Sequence, residues 1–330
     1  MPVAVMGAGG IGGYVGGRLA EAGAEVTFIA RGAHLEALQG QGLTIETPEG
    51  EIHLPKVRVT SDPAAVGPVD LVLFTVKLAD AEAAAAAILP LMGVATRVLT
   101  LQNGIDSKAI LERHLGPGHV AAAIIYVSAR IAKPGVIAHP GGPNLIMADA
   151  LDGDPVMAEL FALNDGLNGL DVQPHAAPDA MVWGKFVDLA AFSGVTCLAR
   201  SPIGRVRAHP PTLDFLLALL RENAAVARAE GFGLPDDHAE QRLAFICGVP
   251  EAMKSSMLVD LEAGKPLELP WLSGRVCELG ARHGIDTPAN QPTISDRPCH
   301  KRPTQIPVGP TGRPASPSLS SPLDGGSAGG

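Results

Sequence analysis

The sequence has few aromatic residues, few cysteines and no excess of positive charge. Phe, Trp and Tyr make up 4% of the 330 residues, so aliphatic side chains must fill most of the core. Lysine and arginine number 25 against 34 aspartates and glutamates, a formal net charge of −9, which argues against an extended nucleic-acid surface. Hydrophobic residues make up 46% of the chain, enough for a large core, and this content excludes global disorder.

Cysteine pairs and long apolar runs are also absent. The four cysteines, Cys197, Cys247, Cys277 and Cys299, form no C-x-x-C pair and no zinc spacing, which predicts reduced, mostly buried thiols and no metal site. No stretch of about 18 apolar residues is free of glycine, proline and charge, so we expect no membrane span. The first residues lack a basic targeting segment, and we therefore expect a cytoplasmic protein.

The first half of the chain alternates strands with helices. Strands are predicted at residues 2–6, 25–30, 70–76 and 97–100, and helices at residues 10–22, 35–41, 79–89 and 107–114. This order predicts an α/β, Rossmann-type, doubly wound parallel sheet. Short β-like segments between residues 119 and 147 are predicted to extend the sheet in antiparallel fashion.

The second half is predicted to be an all-α C-terminal domain. Helices are predicted at residues 178–199, 211–230, 236–248, 251–263 and 266–283. In residues 291–330, Pro, Gly and Ser make up 20 of 40 positions, so we expect a disordered tail outside the fold. The predicted domains are therefore residues 1–170, residues 171–290 and the tail.

A glycine-rich loop follows the first predicted strand and opens the first predicted helix. Its pattern is G-x-G-x-x-G, in the strand–loop–helix context that binds the diphosphate of a dinucleotide at a helix N-terminus. The alternative is a glycine-rich turn that binds no ligand. We assign the loop to cofactor binding through Gly7, Ala8, Gly9, Gly10, Ile11 and Gly12.

Arg31 stands at the end of the second predicted strand, where NAD-selective proteins carry Asp or Glu. A guanidinium binds a 2′-phosphate as a charge-assisted pair, whereas a carboxylate would repel it. The residue therefore favours NADP(H) over NAD(H). The alternative is a solvated charge at a strand end.

Further segments match one known family in order and spacing. They are Arg31-Gly-Ala-His34-Leu, Phe74-Thr-Val-Lys77, Leu101-Gln-Asn103-Gly104, Trp183-Gly-Lys185-Phe186, Ser255-Ser256-Met257-Leu258 and Glu268. With the glycine loop, they make residues 1–290 resemble the ketopantoate reductase family (2-dehydropantoate 2-reductase). The resemblance implies a Rossmann domain, a helical domain and a site in the cleft between them.

The resemblance also implies roles for individual side chains. Lys77 and Asn103 correspond to residues that contact the cofactor, and Asn103 also to one beside the substrate. Lys185 corresponds to the general acid, and an apolar helix around it is expected to lower its pKa. Glu268 corresponds to the acid that orients the substrate hydroxyl and pairs with that lysine. Ser256, Asp260 and Ser193 are assigned to substrate binding.

Two departures from the family pattern concern the substrate. Better-known members carry asparagines where this chain has Leu189 and Ser193, so another 2-oxo acid is an alternative substrate. The preferred function is NADPH-dependent reduction of 2-dehydropantoate to (R)-pantoate, in pantothenate biosynthesis. The alternatives are a related NAD(P)-dependent dehydrogenase and a non-catalytic NADP(H)-binding regulator. The sequence leaves the choice between a monomer and a homodimer open.

Overall fold

The computed structural model describes residues 1–294, apart from the side chain of Asp165. These residues form one compact unit, Met1–Ile294. The predicted tail from residue 295 onward, with Cys299, lies outside the described residues.

The main sheet has eight strands in the order β12-β11-β8-β7-β6-β1-β2-β5. The strands are β1 (Pro2–Met6), β2 (Glu25–Ile29), β5 (Arg58–Thr60), β6 (Leu71–Phe74), β7 (Arg97–Thr100), β8 (Val120–Tyr126), β11 (Leu145–Asp149) and β12 (Asp171–His175). From β8 to β5 all neighbours pair in parallel, as the alternating pattern predicts. The central strands are apolar on both faces because helices cover both.

A second sheet of four strands lies beside the first, and the sequence analysis did not predict it. Its order is β4-β3-β10-β9, built from β3 (Leu43–Thr47), β4 (Gly50–Leu54), β9 (Arg130–Lys133) and β10 (Val136–Ala138). The prediction that residues 119–147 extend the main sheet in antiparallel fashion is therefore only partly right. β11 does pair antiparallel with β8, but β8 is parallel to β7, and β9 and β10 pair outside the main sheet.

Five helices accompany the strands within the described first half. They are α1 (Gly10–Glu21), α2 (Gly32–Gln41), α3 (Ala81–Ala87), α4 (Ser107–Leu115) and α5 (Pro155–Ala162). The helix predicted at residues 79–89 is shorter than expected, because the chain tightens into 3₁₀ turns at Leu78–Asp80 and Leu89–Leu91.

The second half is helical, as predicted. It contains α6 (Pro178–Ala199), α7 (Ile203–Arg207), α8 (Pro210–Ala229), α9 (His238–Gly248), α10 (Ser256–Glu262), α11 (Ser273–His283) and α12 (Gln291–Ile294). The prediction of one helix from residue 266 to 283 is wrong. A 3₁₀ turn at Leu269–Trp271 precedes α11, which begins at Ser273, so Pro266 opens no helix.

α12 corrects the predicted start of the tail. Residues 291–294 are helical and pack on α6 and α11, so the fold extends four residues beyond Asn290. Asn290 itself is buried and donates from its side chain to Glu222 at 2.8 Å and to Asn223 at 3.0 Å. These contacts fasten the end of the described chain to α8.

The burial of the cysteines differs from the prediction. Of the three in the described part of the chain, all are free thiols, but only Cys277 is buried and Cys247 is exposed. Helix α6 is long and apolar enough to cross a membrane by length and composition alone. Its inner face, from Trp183 to Val195, belongs to the core of the helical half, which explains that composition without a membrane.

Candidate active site

The glycine-rich loop has the backbone geometry that its sequence predicts. Gly7 adopts a φ of +99°, in the left-handed region where a side chain is strained. A Cβ at Gly12 would lie 2.2 Å from the carbonyl oxygen of Gly7, so only glycine permits this approach of helix to strand. At Gly9 a Cβ would meet no atom within 4 Å, so the backbone there faces open space. The loop can therefore admit a bulky anion beside the first turn of α1.

A cavity of about 270 Å³ adjoins this loop, and we call it the glycine-loop cavity. Its lining includes Gly7, Ala8, Gly9, Arg31, His34, Val76 and Ile131. Arg31 is exposed and stands directly before the first turn of α2. An exposed guanidinium in this wall can pair with a phosphate group in the cavity.

The side chains predicted for the site follow consecutive strands at one edge of the main sheet. Arg31 follows β2, the glycine loop follows β1, Lys77 follows β6 and Asn103 follows β7. The next strand is β8, whose Ile125 carbonyl accepts a hydrogen bond from Lys185. We call these groups at the ends of neighbouring strands the edge array. At about 4.8 Å per strand, the edge array spans roughly 19 Å from β2 to β8. Parallel α/β sheets bind ligands at this carboxyl edge.

Lys185 is held at the β8 end of the array. Its Nζ donates to Asn103 Oδ1 at 3.1 Å and to the Ile125 carbonyl at 2.8 Å. The Tyr126 ring centroid lies 5.4 Å from the same nitrogen. Burial lowers the pKa of Lys185 to about 8. An ammonium has three N–H groups, so one is left without a hydrogen-bond acceptor among residues 1–294.

Lys77 forms a second charged group at this edge. Its Nζ contacts Asp260 at 3.0 Å and Glu268 at 3.3 Å, and these two carboxylates have side chains only 15% and 12% exposed. Burial by itself would lower the pKa of Lys77, but the Glu268 and Asp260 charges outweigh it and raise that pKa. The implied pairing of Glu268 with Lys185 is therefore not what the structure has, since Glu268 pairs with Lys77.

The two serines assigned to substrate binding have different positions. Ser256 is exposed in the first turn of α10, and Ser255 beside it is the buried N-cap, accepting from the Leu258 N–H at 3.0 Å. Ser193 is fully buried, and its Oγ has no hydrogen-bond partner in the described part of the chain. The Ser193 side chain therefore lies inside the protein and not in the wall of an open pocket.

The sequence analysis missed an ion pair one turn beyond Lys185. Asp188 on α6 contacts Arg242 on α9 at 2.6 Å. Burial raises the pKa of Asp188 to about 6, although the Arg242 charge opposes that shift. Two charged residues at i and i+3 in the apolar middle of α6 were the available signal. The partner of Asp188, Arg242, lies 54 positions further along the chain and shares no motif with it.

A second cavity, of about 320 Å³, lies between α4 and α6. The stacked rings of Trp183 and Phe232, 4.8 Å apart, form part of its wall, and Lys108 and Asp179 pair across it at 3.3 Å. No group of three or more His, Cys, Asp or Glu within residues 1–294 is placed to hold a metal ion.

The fold defines an α/β protein with a Rossmann-type sheet and a helical second half. The family model described as ketopantoate reductase PanE/ApbA matches residues 3–151, and that of its C-terminal part matches residues 179–295. The chain belongs to the ketopantoate reductase family, and it is an oxidoreductase of the class that acts on CH–OH groups.

Individual relatives agree with this placement. A 2-dehydropantoate 2-reductase of Halobacterium salinarum is 30% identical over 297 residues, covering 90% of this chain and 97% of that protein. A PanE/ApbA family ketopantoate reductase from Ralstonia eutropha has a crystal structure with a TM-score of 0.81 and 35% identity, covering 89% and 96%. A D-mandelate dehydrogenase with NADH and anilino(oxo)acetate has a TM-score of 0.79 at 22% identity, covering 89% and 96%, and shares the fold.

Proposed function

We propose that this protein catalyses the NADPH-dependent reduction of a small 2-oxo acid, with 2-dehydropantoate as substrate and (R)-pantoate as product. The observation that carries the proposal is the order of groups along the carboxyl edge of the sheet. Arg31, the glycine loop, Lys77, Asn103 and Lys185 follow one another over five neighbouring strands. A dinucleotide laid along that edge would meet them in this order.

The residues present suit such a cofactor. The open space at Gly9 and the close approach at Gly12 fit a diphosphate, and Arg31 in the cavity wall suits the 2′-phosphate of NADP(H). The solved D-mandelate dehydrogenase of the same fold contains NADH, which supports a nicotinamide cofactor in general. We accordingly assign residues 1–170 to the cofactor and residues 171–290 to the substrate, and place the reaction in the cytoplasm.

Lys185 is the proposed general acid. When bound, a reduced nicotinamide would supply a hydride for the keto carbon, and the keto oxygen would then need one proton. The N–H of Lys185 that has no acceptor among residues 1–294 is available to give it, which leaves a neutral amine. A pKa of about 8 keeps the lysine protonated at neutral pH yet makes it a stronger acid than an ordinary lysine.

The remaining groups are proposed to place the substrate. Asn103 accepts a hydrogen bond from Lys185, so its side chain lies beside the proposed proton donor. Lys77 offsets part of the negative charge of Asp260 and Glu268, which weakens their repulsion of an anionic substrate. Ser256, exposed at the start of α10, remains the candidate for contact with the substrate carboxylate.

The decisive experiment compares kcat/KM over a panel of 2-oxo acids, with NADPH and with NADH. The proposal expects reduction with NADPH, and the highest kcat/KM with 2-dehydropantoate. Turnover of no 2-oxo acid by a protein that binds NADPH would favour the non-catalytic regulator instead.

One observation favours a second candidate, a dehydrogenase for a different 2-oxo or hydroxy acid. Leu189 offers no hydrogen bond, and the Ser193 hydroxyl is fully buried, so neither replaces the asparagine amides of better-known members. A substrate with fewer polar groups than 2-dehydropantoate would not need the hydrogen bonds of those two amides. A higher kcat/KM with such an acid in the same panel would select this candidate.

A further inference from the structure

Two side chains lie just behind the edge array, and no role proposed above uses them. Thr75 directly follows β6 and stands two residues before Lys77, and Gln102 directly precedes Asn103 after β7. Thr75 is half-buried, and Gln102 is only 8% exposed. Both side chains form hydrogen bonds with the backbone at the end of a neighbouring strand.

Thr75 connects the end of β6 to the glycine loop. Its backbone N–H continues the ladder to β1 by donating to the Met6 carbonyl at 3.0 Å. Its hydroxyl reaches one residue further and donates to the Gly7 carbonyl at 2.7 Å, with a longer contact of 3.1 Å to the Met6 carbonyl. The Gly7 carbonyl is also the oxygen that a Cβ at Gly12 would approach to 2.2 Å. Thr75 therefore holds the loop at the point where strand and helix come closest.

Gln102 makes the corresponding connection between the ends of β7 and β6. The Leu101 N–H donates to the Phe74 carbonyl at 3.1 Å, as the ladder between these strands requires. Beyond it a side chain takes over, because Gln102 Nε2 donates to the Val76 carbonyl at 2.8 Å. The Thr100 hydroxyl faces Gln102 Oε1 at 3.5 Å, which is the amide orientation that leaves Nε2 toward Val76. Gln102 therefore ties together the two loops that follow β6 and β7.

Side-chain donors thus join strand ends in succession. The Lys185 ammonium makes the next connection, since it donates to Asn103 Oδ1 and to the Ile125 carbonyl at the end of β8. The ends of β1, β6, β7 and β8 are joined in this way. Loops held by fewer hydrogen bonds open more easily, and a displacement of about 1 Å in a site can cost about 100-fold in rate.

We propose that Thr75 and Gln102 are positioning residues. Thr75 holds the glycine loop in the conformation that receives the diphosphate, which NADPH and NADH share. Gln102 holds the Asn103 loop at a fixed distance from Lys77, and Lys185 follows because Asn103 accepts its hydrogen bond. Both act through the backbone that they hold. The inference rests on the proposed nicotinamide-cofactor function.

Two variants test the hydroxyl of Thr75. Thr75→Val keeps the branched shape and removes the donor, whereas Thr75→Ser keeps the donor. Thr75→Val is expected to raise the Kd of both NADPH and NADH about threefold to tenfold, as loss of one hydrogen bond predicts. Thr75→Ser is expected to stay within about twofold of wild type. The NADPH/NADH ratio of Kd should not change in either variant. Fluorescence titration of the full-length chain measures these values, and Tm is measured for each variant.

Gln102→Met tests the second connection, because it keeps the length of the side chain and removes its donor. The assay uses NADPH at saturation and the 2-oxo acid of highest kcat/KM in the panel. We expect kcat to fall about threefold to tenfold, while the Kd of NADPH changes less than about twofold. Gln102→Asn, whose amide ends one methylene short of the Val76 carbonyl, is expected to show the same loss and serves if Gln102→Met is unstable.

Thr96→Val is the matched control for Gln102→Met. The buried Thr96 hydroxyl donates to the Val69 carbonyl and so joins the segments before β6 and β7, at the edge of the sheet opposite the site. Its loss is expected to lower Tm by a similar amount and to leave kcat and the Kd of NADPH unchanged.

Three results would overturn the inference. A Kd as high in Thr75→Ser as in Thr75→Val would show that the hydroxyl does not hold the loop. Equal losses of kcat in Gln102→Met and Thr96→Val at equal Tm would show that Gln102 only adds stability. Unchanged Kd in Thr75→Val, or unchanged kcat in Gln102→Met, would show no positioning role for that residue. A wild type that binds neither cofactor would instead overturn the proposed function, and this outcome is distinct because the other three require a wild type that binds cofactor and turns over.

Discussion

The two halves of this protein build their parts of the edge array in different ways. The first half supplies groups that directly follow its strands. The glycine loop offers its backbone, with open space at Gly9, and Arg31, Lys77 and Asn103 offer side chains. The helical half uses side chains from distant positions, since Lys185, Asp260 and Glu268 come from α6, α10 and the segment before the 3₁₀ turn at Leu269–Trp271. A local motif can therefore describe the first part of the site but not the second.

Two lysines show the same contrast in electrostatics. Lys185 has only neutral acceptors, so burial lowers its pKa to about 8. Lys77 faces two carboxylates, which raise its pKa. The environment of each lysine, rather than its residue type, lowers the pKa of one and raises that of the other, and this difference is why we propose Lys185 and not Lys77 as the proton donor.

The largest expected effect tests that difference directly. Lys185→Ala should lower kcat by about 100-fold to 10,000-fold, because the alkoxide loses its proton donor, while the Kd of NADPH changes little. Steady-state kinetics and a binding titration measure the two quantities. Lys77→Ala is the matched control. Near-normal kcat in Lys185→Ala together with no activity in Lys77→Ala would mean that the two roles are reversed.

Arg31→Asp tests the contribution of the first half to cofactor binding. It should weaken NADPH binding about 10-fold to 100-fold more than NADH binding, because it removes a charge-assisted pair and adds a repelling charge. Fluorescence titration gives both Kd values. Arg58→Asp makes the same charge change on the neighbouring strand β5, where Arg58 is exposed and pairs with Glu25, and should leave the ratio unchanged. Equal losses for both cofactors would refute the assignment of Arg31.

The pH dependence should follow Lys185. Its folded-state pKa of about 8 means that the ammonium form is lost as pH rises through that value. The kcat/KM for reduction should therefore fall about tenfold per unit above pH 8, and oxidation of the hydroxy acid should rise over the same range. The fall of kcat/KM above pH 8 should remain in the Lys77→Ala variant. A flat profile between pH 7 and pH 10 would argue against Lys185 as the acid.

The pairing of Glu268 can be tested by double-mutant cycles. Glu268→Ala should raise the KM for the 2-oxo acid severalfold and lower kcat less. Because Glu268 contacts Lys77, the double variant with Lys77→Ala should lose less than the two single losses combined. When Glu268→Ala is combined with Lys185→Ala, the total loss of activity should be closer to the two single losses combined. The reverse pattern would restore the pairing with Lys185 that the family resemblance implies.

The smallest effects are expected at the end of the fold. Truncation after Ile294 should leave Tm and activity unchanged, because residues 1–294 form the compact unit. Truncation after Asn290 removes α12 from α6 and α11 and should lower Tm by about 2–5 °C, as loss of 1–2 kcal/mol predicts for a chain of this size. Thermal melting measures both. Equal Tm values for the two truncations would mean that α12 adds nothing to stability.

Features carried by neighbouring residues could be predicted from the sequence. The strand–loop–helix at Gly7–Gly12 follows from local pattern, and so do the parallel sheet from β8 to β5 and helix α6, whose bounds agree with the prediction. The reason is that the hydrophobic periodicity and the glycine spacing are read from neighbouring residues within one strand, loop or helix. Family resemblance added Lys185, which the fold places beside Asn103 at 3.1 Å.

Features that join distant residues appeared only in the folded chain. β10 pairs with β3, which lies far earlier in the chain, and β9 pairs with β10. Neither β9 nor β10 carries a sequence signal that distinguishes this sheet from the main one. Glu268 and Asp260 meet Lys77 across 191 and 183 positions, and Asp188 meets Arg242 between two helices. Strand pairing, ion pairing and the burial that sets the pKa of Lys185 all depend on which surfaces come into contact, and only tertiary packing determines that.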